Sequence, residues 1–257
     1  MKILVLGAGN MGAFFVETLC TTHDVAVYDM DLEKMKYFFR THRIEKFDEV
    51  QEFAPDLLIN AVSLQHTMAA FEGILPYLND NCIICDITSV KNGLPTYYQS
   101  LKHKFVSIHP MFGPTFANIK ELSGQNAIIV KESDPAGKKF FRDFFSKLKI
   151  NIYEYSFAQH DETIAYSLSI PFSSTLVFAA CMKKQEAPGT TFKKHMTIAK
   201  GLMSENDYLL SEVLLNPYTL PQVEKIHEQL SALIEMIKNK DTKALHSFFA
   251  ELRENIG

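Results

Sequence analysis

A histidine at the predicted end of a buried strand is the first residue in this sequence that could do chemistry. His109 follows an apolar run and precedes Pro110, within the stretch SIHPMFGP at residues 107–114. Proline has no N–H for a strand ladder, so the strand is expected to end here. Ligands of open α/β sheets bind at this edge, and imidazole titrates near neutral pH. His109 is therefore a candidate general base, against the alternative of a histidine that makes one structural hydrogen bond.

Polar side chains follow two other predicted strands of the same sheet. Ser63 comes directly after one apolar run, and the run at residues 82–87 continues into the hydroxyl-rich sequence TSVKNG, which contains Ser89 and Lys91. Since the carboxyl ends of parallel strands share one edge, we expect these three side chains on the same edge as His109.

A glycine-rich turn follows the first apolar strand, at residues 2–6. It reads G-x-G-x-x-G, and an amphipathic helix follows it over residues 10–21. The first glycine allows the tight turn, the second lets the backbone approach a pyrophosphate, and the third lets the helix pack closely on the strand. The phosphates then lie at the helix N-terminus. The nucleotide-binding candidates in this turn are Gly7, Gly9, Asn10, Met11 and Gly12.

An acidic residue ends the second predicted strand, at residues 25–29. Asp29 stands about 20 residues past the glycines, where an acidic side chain binds the ribose hydroxyls of a dinucleotide. A carboxylate there would repel a 2′-phosphate, so NAD is expected rather than NADP. Asp31 competes for this role, although it is better suited to cap the helix that follows.

The pattern of apolar residues changes once along the chain. Alternating strands and helices over residues 1–155 predict a Rossmann-type α/β domain with a doubly wound parallel sheet, which the strand-like runs at 126–131 and 150–155 could extend. Over residues 156–257 apolar residues recur at helical spacing instead, which predicts a smaller all-helical domain. A nucleotide-binding domain followed by a helical domain is the plan of an NAD-dependent dehydrogenase, so we expect the helical domain to bind the substrate. Its helices are long and apolar for so small a domain, so we expect a homodimer through them.

The composition limits the possible classes of protein. The chain has 257 residues, 47% hydrophobic and 22% charged, as in ordinary globular proteins, and its net charge of −4 argues against a general nucleic-acid binder. No apolar run looks long enough to span a bilayer, and the apolar start lacks the features of a signal peptide. We therefore expect a cytoplasmic protein with no membrane partner.

Cys82 and Cys85 form a C-x-x-C pair inside a predicted buried strand. Their spacing puts the two side chains on opposite faces of a strand, whereas redox pairs of this type begin a helix. Without a second Cys/His pair close in sequence, the pair does not indicate a zinc site. We interpret both cysteines as small core residues and expect no metal.

Taken together, the motifs at the two strand ends closely resemble those of prephenate dehydrogenases, most of all the bacterial form usually fused to chorismate mutase. They are DITSVKNG at residues 86–93 and IHPMFGP at residues 108–114, in the family's order, and His160-Asp161 matches a further family motif. The resemblance implies NAD-dependent oxidative decarboxylation of prephenate to 4-hydroxyphenylpyruvate, in tyrosine biosynthesis.

The resemblance also implies roles for single residues. His109 would take the proton of the ring hydroxyl as the hydride leaves, and Ser89 would hold and orient that hydroxyl. Lys91 could bind a substrate carboxylate or stabilise its loop. His160 could contact the substrate or serve as a helix-start residue together with Asp161.

The helical domain departs from the family pattern at two positions. Lys193 falls where the family usually has an arginine for a substrate carboxylate, and lysine keeps the charge but loses the bidentate geometry. Phe172 stands where many members have a histidine. The preference between prephenate and arogenate is therefore open. Two further alternatives are another two-domain NAD-dependent reductase and a non-catalytic regulator that senses NAD or tyrosine on the same scaffold.

Overall fold

A computed structural model describes residues 1–112 and 122–257. These residues divide into two compact units, Met1–Asp161 and Glu162–Gly257. The sequence placed a domain boundary after residue 155, whereas the units divide inside the helix that begins at Phe157. Gly113 and Pro114, which end the predicted histidine motif, lie outside the described residues.

The first unit contains the predicted sheet. Its strands, within the described residues, are β1 (Lys2–Leu6), β2 (Asp24–Tyr28), β3 (His42–Arg43), β4 (Leu57–Asn60), β5 (Ile83–Asp86), β6 (Phe105–Pro110), β7 (Asn126–Val130) and β8 (Asn151–Tyr155). Their order in the sheet is β3-β2-β1-β4-β5-β6-β7-β8. This is the doubly wound order of a Rossmann-type fold, extended at one edge, which confirms the predicted fold class.

Helices connect these strands. In chain order they are α1 (Asn10–Leu19), α2 (Leu32–Met35), α3 (Asp48–Phe53), α4 (Thr67–Ile74), α5 (Leu94–Gln99) and α6 (Pro135–Lys147). A further helix, α7 (Phe157–Ile164), follows β8 and crosses the division between the units. The strand that carries His109 ends directly after Pro110, one residue later than predicted. After β6 the strand direction reverses. The strand β7 pairs with β6 in antiparallel register, and β8 pairs with β7 in parallel register.

Two apolar clusters cover the two faces of the sheet. One contains Val5, Ile59 and Cys85, and the other contains Cys82 and neighbouring apolar side chains. Burial raises the pKa of Cys82 to about 12 and that of Cys85 well above its usual value. Both thiols therefore stay protonated, and they pack on opposite faces as the strand pattern predicts.

The second unit is helical, as predicted. A π-helical turn at Ala165–Ser169 comes first, followed by α8 (Ile170–Cys181), α9 (Thr190–Leu202), α10 (Asp207–Leu214), α11 (Thr219–Lys238) and α12 (Thr242–Ile256). Within the π-helical turn, the buried Ser169 hydroxyl lies 2.6 Å from the hydroxyl of Thr219, which itself donates to the carbonyl of Val213. This hydroxyl pair links the start of the unit to α11.

One stretch of the described chain is long and apolar enough to cross a membrane by length and composition, Phe157–Cys181. The expectation that no such run exists was wrong. Asp161 and Glu162 lie near the start of this stretch, and the serine, threonine and tyrosine residues after them add no charge, so its average remains apolar. The core helix of a soluble protein can have the same length and composition, so a single stretch of this kind is weak support for a membrane span.

Candidate active site

Two glycines allow the turn between β1 and α1 to close. Gly7 has a φ of +91°, and a Cβ at this position would come within 2.9 Å of the carbonyl oxygen of Ala61. A Cβ on Gly12 would lie 1.8 Å from the carbonyl oxygen of Gly7. The helix can therefore begin directly over the ends of β1 and β4 only if both positions lack a side chain.

Gly9 differs from these two glycines. No atom lies within 4 Å of a Cβ built at this position, so the protein itself does not need glycine here. Gly9 is also the N-cap of α1, and no side chain in the described chain caps this helix. Open space in front of uncapped helix amides is what a phosphate group requires. Asn10 and Met11, the other candidates in the turn, form the first residues of α1.

Asp29 lies against this turn, just after β2. Its carboxylate accepts hydrogen bonds from the N–H of Ala8 at 2.7 Å and from the N–H of Asp31 at 2.8 Å. Lys34 places its ammonium 3.8 Å from Oδ1 of Asp29. Asp31 is the N-cap of α2 and accepts from the N–H of Glu33. Because Asp31 caps α2 while Asp29 bonds the backbone of the glycine turn, Asp29 is the acidic group that lies beside the glycines.

Ser63 is exposed beyond the end of β4 and precedes a short 3₁₀ turn, Leu64–His66. Its carbonyl oxygen accepts from the hydroxyl of Thr67 at 3.3 Å. The turn is also held by Asn60, whose side-chain amide donates to the carbonyl of Thr67 at 2.8 Å. Sequence analysis did not identify Asn60, which fixes the loop that carries Ser63.

His109 is part of a hydrogen-bonded chain of three side chains. Nδ1 of His109 lies 3.0 Å from Nε2 of His160, and Nδ1 of His160 lies 2.9 Å from Oδ1 of Asp161. Only 7% of His109 and none of His160 is exposed. Both ring nitrogens of His160 are used inside the protein. Its geometry therefore fits the positioning of His109 better than the predicted contact with a substrate.

The two histidines are neutral near physiological pH. Burial, followed by the electrostatic coupling to His160 and the charge of Lys91, holds the pKa of His109 well below its usual value. Burial also lowers the pKa of His160, although the hydrogen bond to Asp161 acts in the opposite direction. A neutral imidazole can accept a proton, so His109 meets the first requirement for a general base.

Lys91 lies entirely inside the first unit. Its ammonium donates to Oδ1 of Asp86 and to the carbonyl of Ile108, the latter at 2.8 Å. The same carboxylate accepts from the hydroxyls of Tyr98 at 2.7 Å and Thr88 at 2.8 Å. Of the two roles that the sequence left open for Lys91, stabilisation of the loop fits this arrangement. Sequence analysis assigned no role to Asp86 or Tyr98.

The carboxylate of Asp86 is ionised in spite of its burial. Burial alone would raise its pKa, but the charge of Lys91 and the hydrogen bonds from Lys91 and Tyr98 lower it. The resulting ion pair joins the end of β5 to the end of β6, because Ile108 lies on β6. This buried pair therefore fixes the backbone directly before His109.

Ser89 is half-buried in the loop after β5. The hydroxyl of Thr88 bonds both Asp86 and the carbonyl of Val90, which fixes the backbone on either side of Ser89. Asp86 pairs with Ser107 of β6 in parallel register. Ser89 and His109 therefore follow neighbouring strands at the same edge of the sheet, as the sequence predicts.

Comparison with known proteins connects this site to a family. A sequence model described as the nucleotide-binding domain of prephenate dehydrogenase matches residues 15–134. This match relates residues 15–134 to the nucleotide-binding domains of the prephenate dehydrogenase family. The matched region lies in the first unit, which thus contains a nucleotide-binding domain.

Relatives of this chain carry both substrate names. A probable arogenate/prephenate dehydrogenase of Methanocaldococcus jannaschii is 21% identical over 277 residues, which cover 99% of this chain and 60% of that relative. The fold of prephenate dehydrogenase from Aquifex aeolicus, solved with hydroxyphenyl propionate and NAD+, matches with a TM-score of 0.84 at 19% identity, over 99% of this chain and 96% of the other. Arogenate dehydrogenase from Synechocystis matches with a TM-score of 0.79 at 18% identity, over 99% and 98% of the two chains.

Two of the predicted positions lie in the second unit. Lys193 is exposed on α9, and Phe172 is half-buried on α8. The rings of Phe178 and Phe192 pack edge to face, with centroids 5.6 Å apart, and join these two helices. Among the described residues, no group of three or more His, Cys, Asp or Glu side chains could hold a metal ion.

Proposed function

We propose that this chain is a prephenate dehydrogenase, which catalyses the NAD-dependent oxidative decarboxylation of prephenate to 4-hydroxyphenylpyruvate. The observation that carries the proposal is the neutral, buried His109 at the end of β6, held through Nδ1 by His160. A base placed in this way fits a reaction in which a hydroxyl proton must be removed. Arogenate is the second candidate substrate, because relatives named for each substrate match the chain over nearly its whole length.

The glycine turn and Asp29 are suited to hold NAD. The uncapped start of α1 and the open space at Gly9 fit the pyrophosphate, and the carboxylate of Asp29 fits the ribose hydroxyls. Ser63 lies exposed at the same edge and is available to a bound nucleotide. The Aquifex aeolicus relative was solved with NAD+. NAD, when bound, supplies the acceptor for the hydride.

The protein residues then have separate tasks. His109 removes the proton of the ring hydroxyl as the hydride departs from the same carbon, and Ser89 orients that hydroxyl. The carboxylate on the ring leaves as carbon dioxide, and the ring becomes aromatic. Aromatisation provides much of the driving force, so the protein needs mainly to position the reacting groups. We assign the remaining substrate carboxylate to Lys193, whose position matches the family's usual arginine.

Formation of NADH by the purified chain, with prephenate and arogenate in parallel assays, tests this proposal. We expect turnover with at least one substrate, and a loss of about 10²-fold or more in kcat for His109→Asn with NAD affinity unchanged. Turnover with arogenate alone would keep the chemistry and change the substrate. If neither substrate reacts while NAD still binds, the chain is a reductase for another substrate or a regulator on this scaffold.

We also infer a homodimer through the helical unit, in the cytoplasm. Large apolar side chains of this unit are exposed in the single chain, including Leu215, Leu220, Ile198 and Ile237. A second copy would bury such side chains, and it would also cover apolar surface of Phe157–Cys181. Light scattering without detergent tests this inference. A monomer in buffer, or a chain recovered only with membranes, would contradict it.

A further inference from the structure

We propose that Asp161 and His160 are positioning residues, which fix the tautomer of His109 and stabilise the imidazolium formed when His109 accepts a proton. The proposal rests on the function proposed above, because it gives His109 the task of a base. Its basis is the continuous chain from Oδ1 of Asp161 through both nitrogens of His160 to Nδ1 of His109, with contacts of 2.9 and 3.0 Å.

The carboxylate at one end of this chain decides where each proton lies. An ionised carboxylate can only accept hydrogen bonds, so Nδ1 of His160 must carry the proton in its contact with Asp161. A neutral His160 then has a lone pair on Nε2, which accepts from Nδ1–H of His109. The lone pair of His109 consequently lies on Nε2, the ring nitrogen left to take a substrate proton.

Lys91 holds both ends of this hydrogen-bonded chain, Asp161 and His109, in place. Its main-chain N–H donates to Oδ1 of Asp161 at 3.4 Å, and its ammonium donates to the carbonyl of Ile108, directly before His109. The middle ring, His160, has no exposed surface on which water could replace either partner. Rotation of one ring would therefore break a buried hydrogen bond, which a protein avoids.

The hydrogen-bonded chain of Asp161, His160 and His109 also balances the charges around His109 during the reaction. When the substrate O–H bond breaks and an N–H bond forms at Nε2, His109 gains one positive charge close to the ammonium of Lys91. Among the described residues, the anions that these contacts bring near His109 are Asp161, which reaches it through His160, and Asp86, which is already paired with Lys91. Asp161 is thus the anion that can stabilise the new imidazolium through hydrogen bonds, as an aspartate does for histidine in hydrolase triads.

Three variants test the proposal. Asp161→Asn removes the charge that fixes the tautomer, at a side chain that is 18% exposed and tolerates an isosteric change. His160→Gln keeps an oxygen that can accept from Nδ1–H of His109, whereas His160→Leu keeps none. The matched control is His42→Gln, which breaks an exposed His–Asp pair of the same 2.9 Å length at the β3 edge of the sheet.

The first measurement needs no turnover. Ring ¹⁵N chemical shifts of His109 report which nitrogen carries the proton, so wild type and His42→Gln should both give Nδ1–H with a bare Nε2. Asp161→Asn and His160→Leu should give a mixture of the two tautomers, and His160→Gln should restore the wild-type pattern. Unchanged His109 shifts in folded Asp161→Asn would overturn the proposal, whether or not the chain reacts with prephenate or arogenate.

The second measurement uses the enzyme once a substrate has been found. Asp161→Asn should lose about 10²-fold in kcat with KM for the substrate nearly unchanged. The acid limb of its kcat/KM profile should move to lower pH, because loss of the carboxylate makes His109 harder to protonate. A purely structural effect would lower the amount of active enzyme but leave the position of this limb unchanged, and that result would contradict the proposal.

Discussion

Lys91 and Asp86 form an ion pair in which neither side chain has any exposed surface. The two residues are five positions apart, and the pair lies at the edge of the sheet where β5 and β6 end, next to His109. Tyr98 and Thr88 complete the hydrogen bonds of the carboxylate. The ammonium of Lys91, which the sequence left as a possible ligand for a substrate carboxylate, therefore lies in the interior of the protein.

Removal of one member of this pair should destabilise the protein strongly. Lys91→Met leaves the carboxylate of Asp86 buried without its cation, and we expect a loss of about 3–5 kcal/mol in the free energy of unfolding. The double variant Asp86→Leu with Lys91→Met should recover most of that loss. Urea denaturation measures both. The exposed pair Lys139–Asp143 is the control, and its removal should cost less than about 1 kcal/mol. A stable Lys91→Met with a raised KM would instead place the ammonium in the substrate site.

The second and third glycines of the turn should respond differently to alanine. Gly9→Ala meets no protein atom, so we expect a folded protein whose affinity for NAD falls about tenfold or more. Gly12→Ala brings its methyl group against the carbonyl of Gly7 and should unfold the turn. Calorimetric titration with NAD and thermal denaturation separate these effects. Unchanged NAD affinity in Gly9→Ala would remove the pyrophosphate from this turn.

Asp29 and Lys34 should together set the preference between NAD and NADP. In Asp29→Ser the repulsive carboxylate is gone, and the ammonium of Lys34, now 3.8 Å from that carboxylate, is free to meet a 2′-phosphate. We expect the ratio of NADP to NAD affinities to rise about tenfold. Adding Lys34→Met should reverse the gain, whereas Lys36→Met on the same exposed segment should not. A ratio that stays constant in Asp29→Ser would give the ribose contact to another residue.

The local parts of this site could be predicted from the sequence, and the long-range parts could not. The glycine turn, Asp29 and the two motifs at the strand ends are continuous stretches, so their residue types predict their positions. The contact of His109 with His160 joins residues 51 positions apart, and no periodic pattern in the sequence indicates this contact. Asp86 and Lys91 are near in sequence, but an aspartate at the end of a strand and a lysine in the loop after it give no sign that the pair is buried.

Two short elements of the first unit carry little signal in the sequence. The helix α2 ends at Met35, because the N–H groups of Lys36 and Phe38 bond three residues back and exposed aromatic residues follow. The strand β3 has only two residues, both polar and exposed, so it carries no apolar signal.

Lys193 should affect substrate affinity and little else. If it binds a substrate carboxylate, Lys193→Ala should raise KM for the substrate about tenfold and leave NAD affinity unchanged. Lys193→Arg should retain or improve the wild-type KM, because guanidinium binds carboxylate through two parallel hydrogen bonds. Lys194→Ala, the adjacent exposed lysine on α9, is the control for a general loss of positive charge. Equal effects of the two alanine variants would point to charge attraction and remove Lys193 from specific binding.

The two neutral histidines of the site should make the fold sensitive to acid. Burial lowers the pKa of both His109 and His160, while their unfolded values are near 6.5. Below about pH 6.5 the unfolded chain therefore binds more protons than the folded one, and the free energy of unfolding falls as pH falls, by up to about 1.4 kcal/mol per pH unit for each histidine.

Urea denaturation at about pH 7.5 and pH 5.5 measures this loss in wild type and in His109→Gln. The variant has one buried histidine fewer, so its stability should fall less between the two pH values, even if it starts from a lower stability. His23, whose pKa burial also lowers, contributes to both proteins and cancels in the comparison. An equal loss in the two proteins would mean that His109 is protonated in the folded state at pH 5.5, which is incompatible with its role as a buried neutral base.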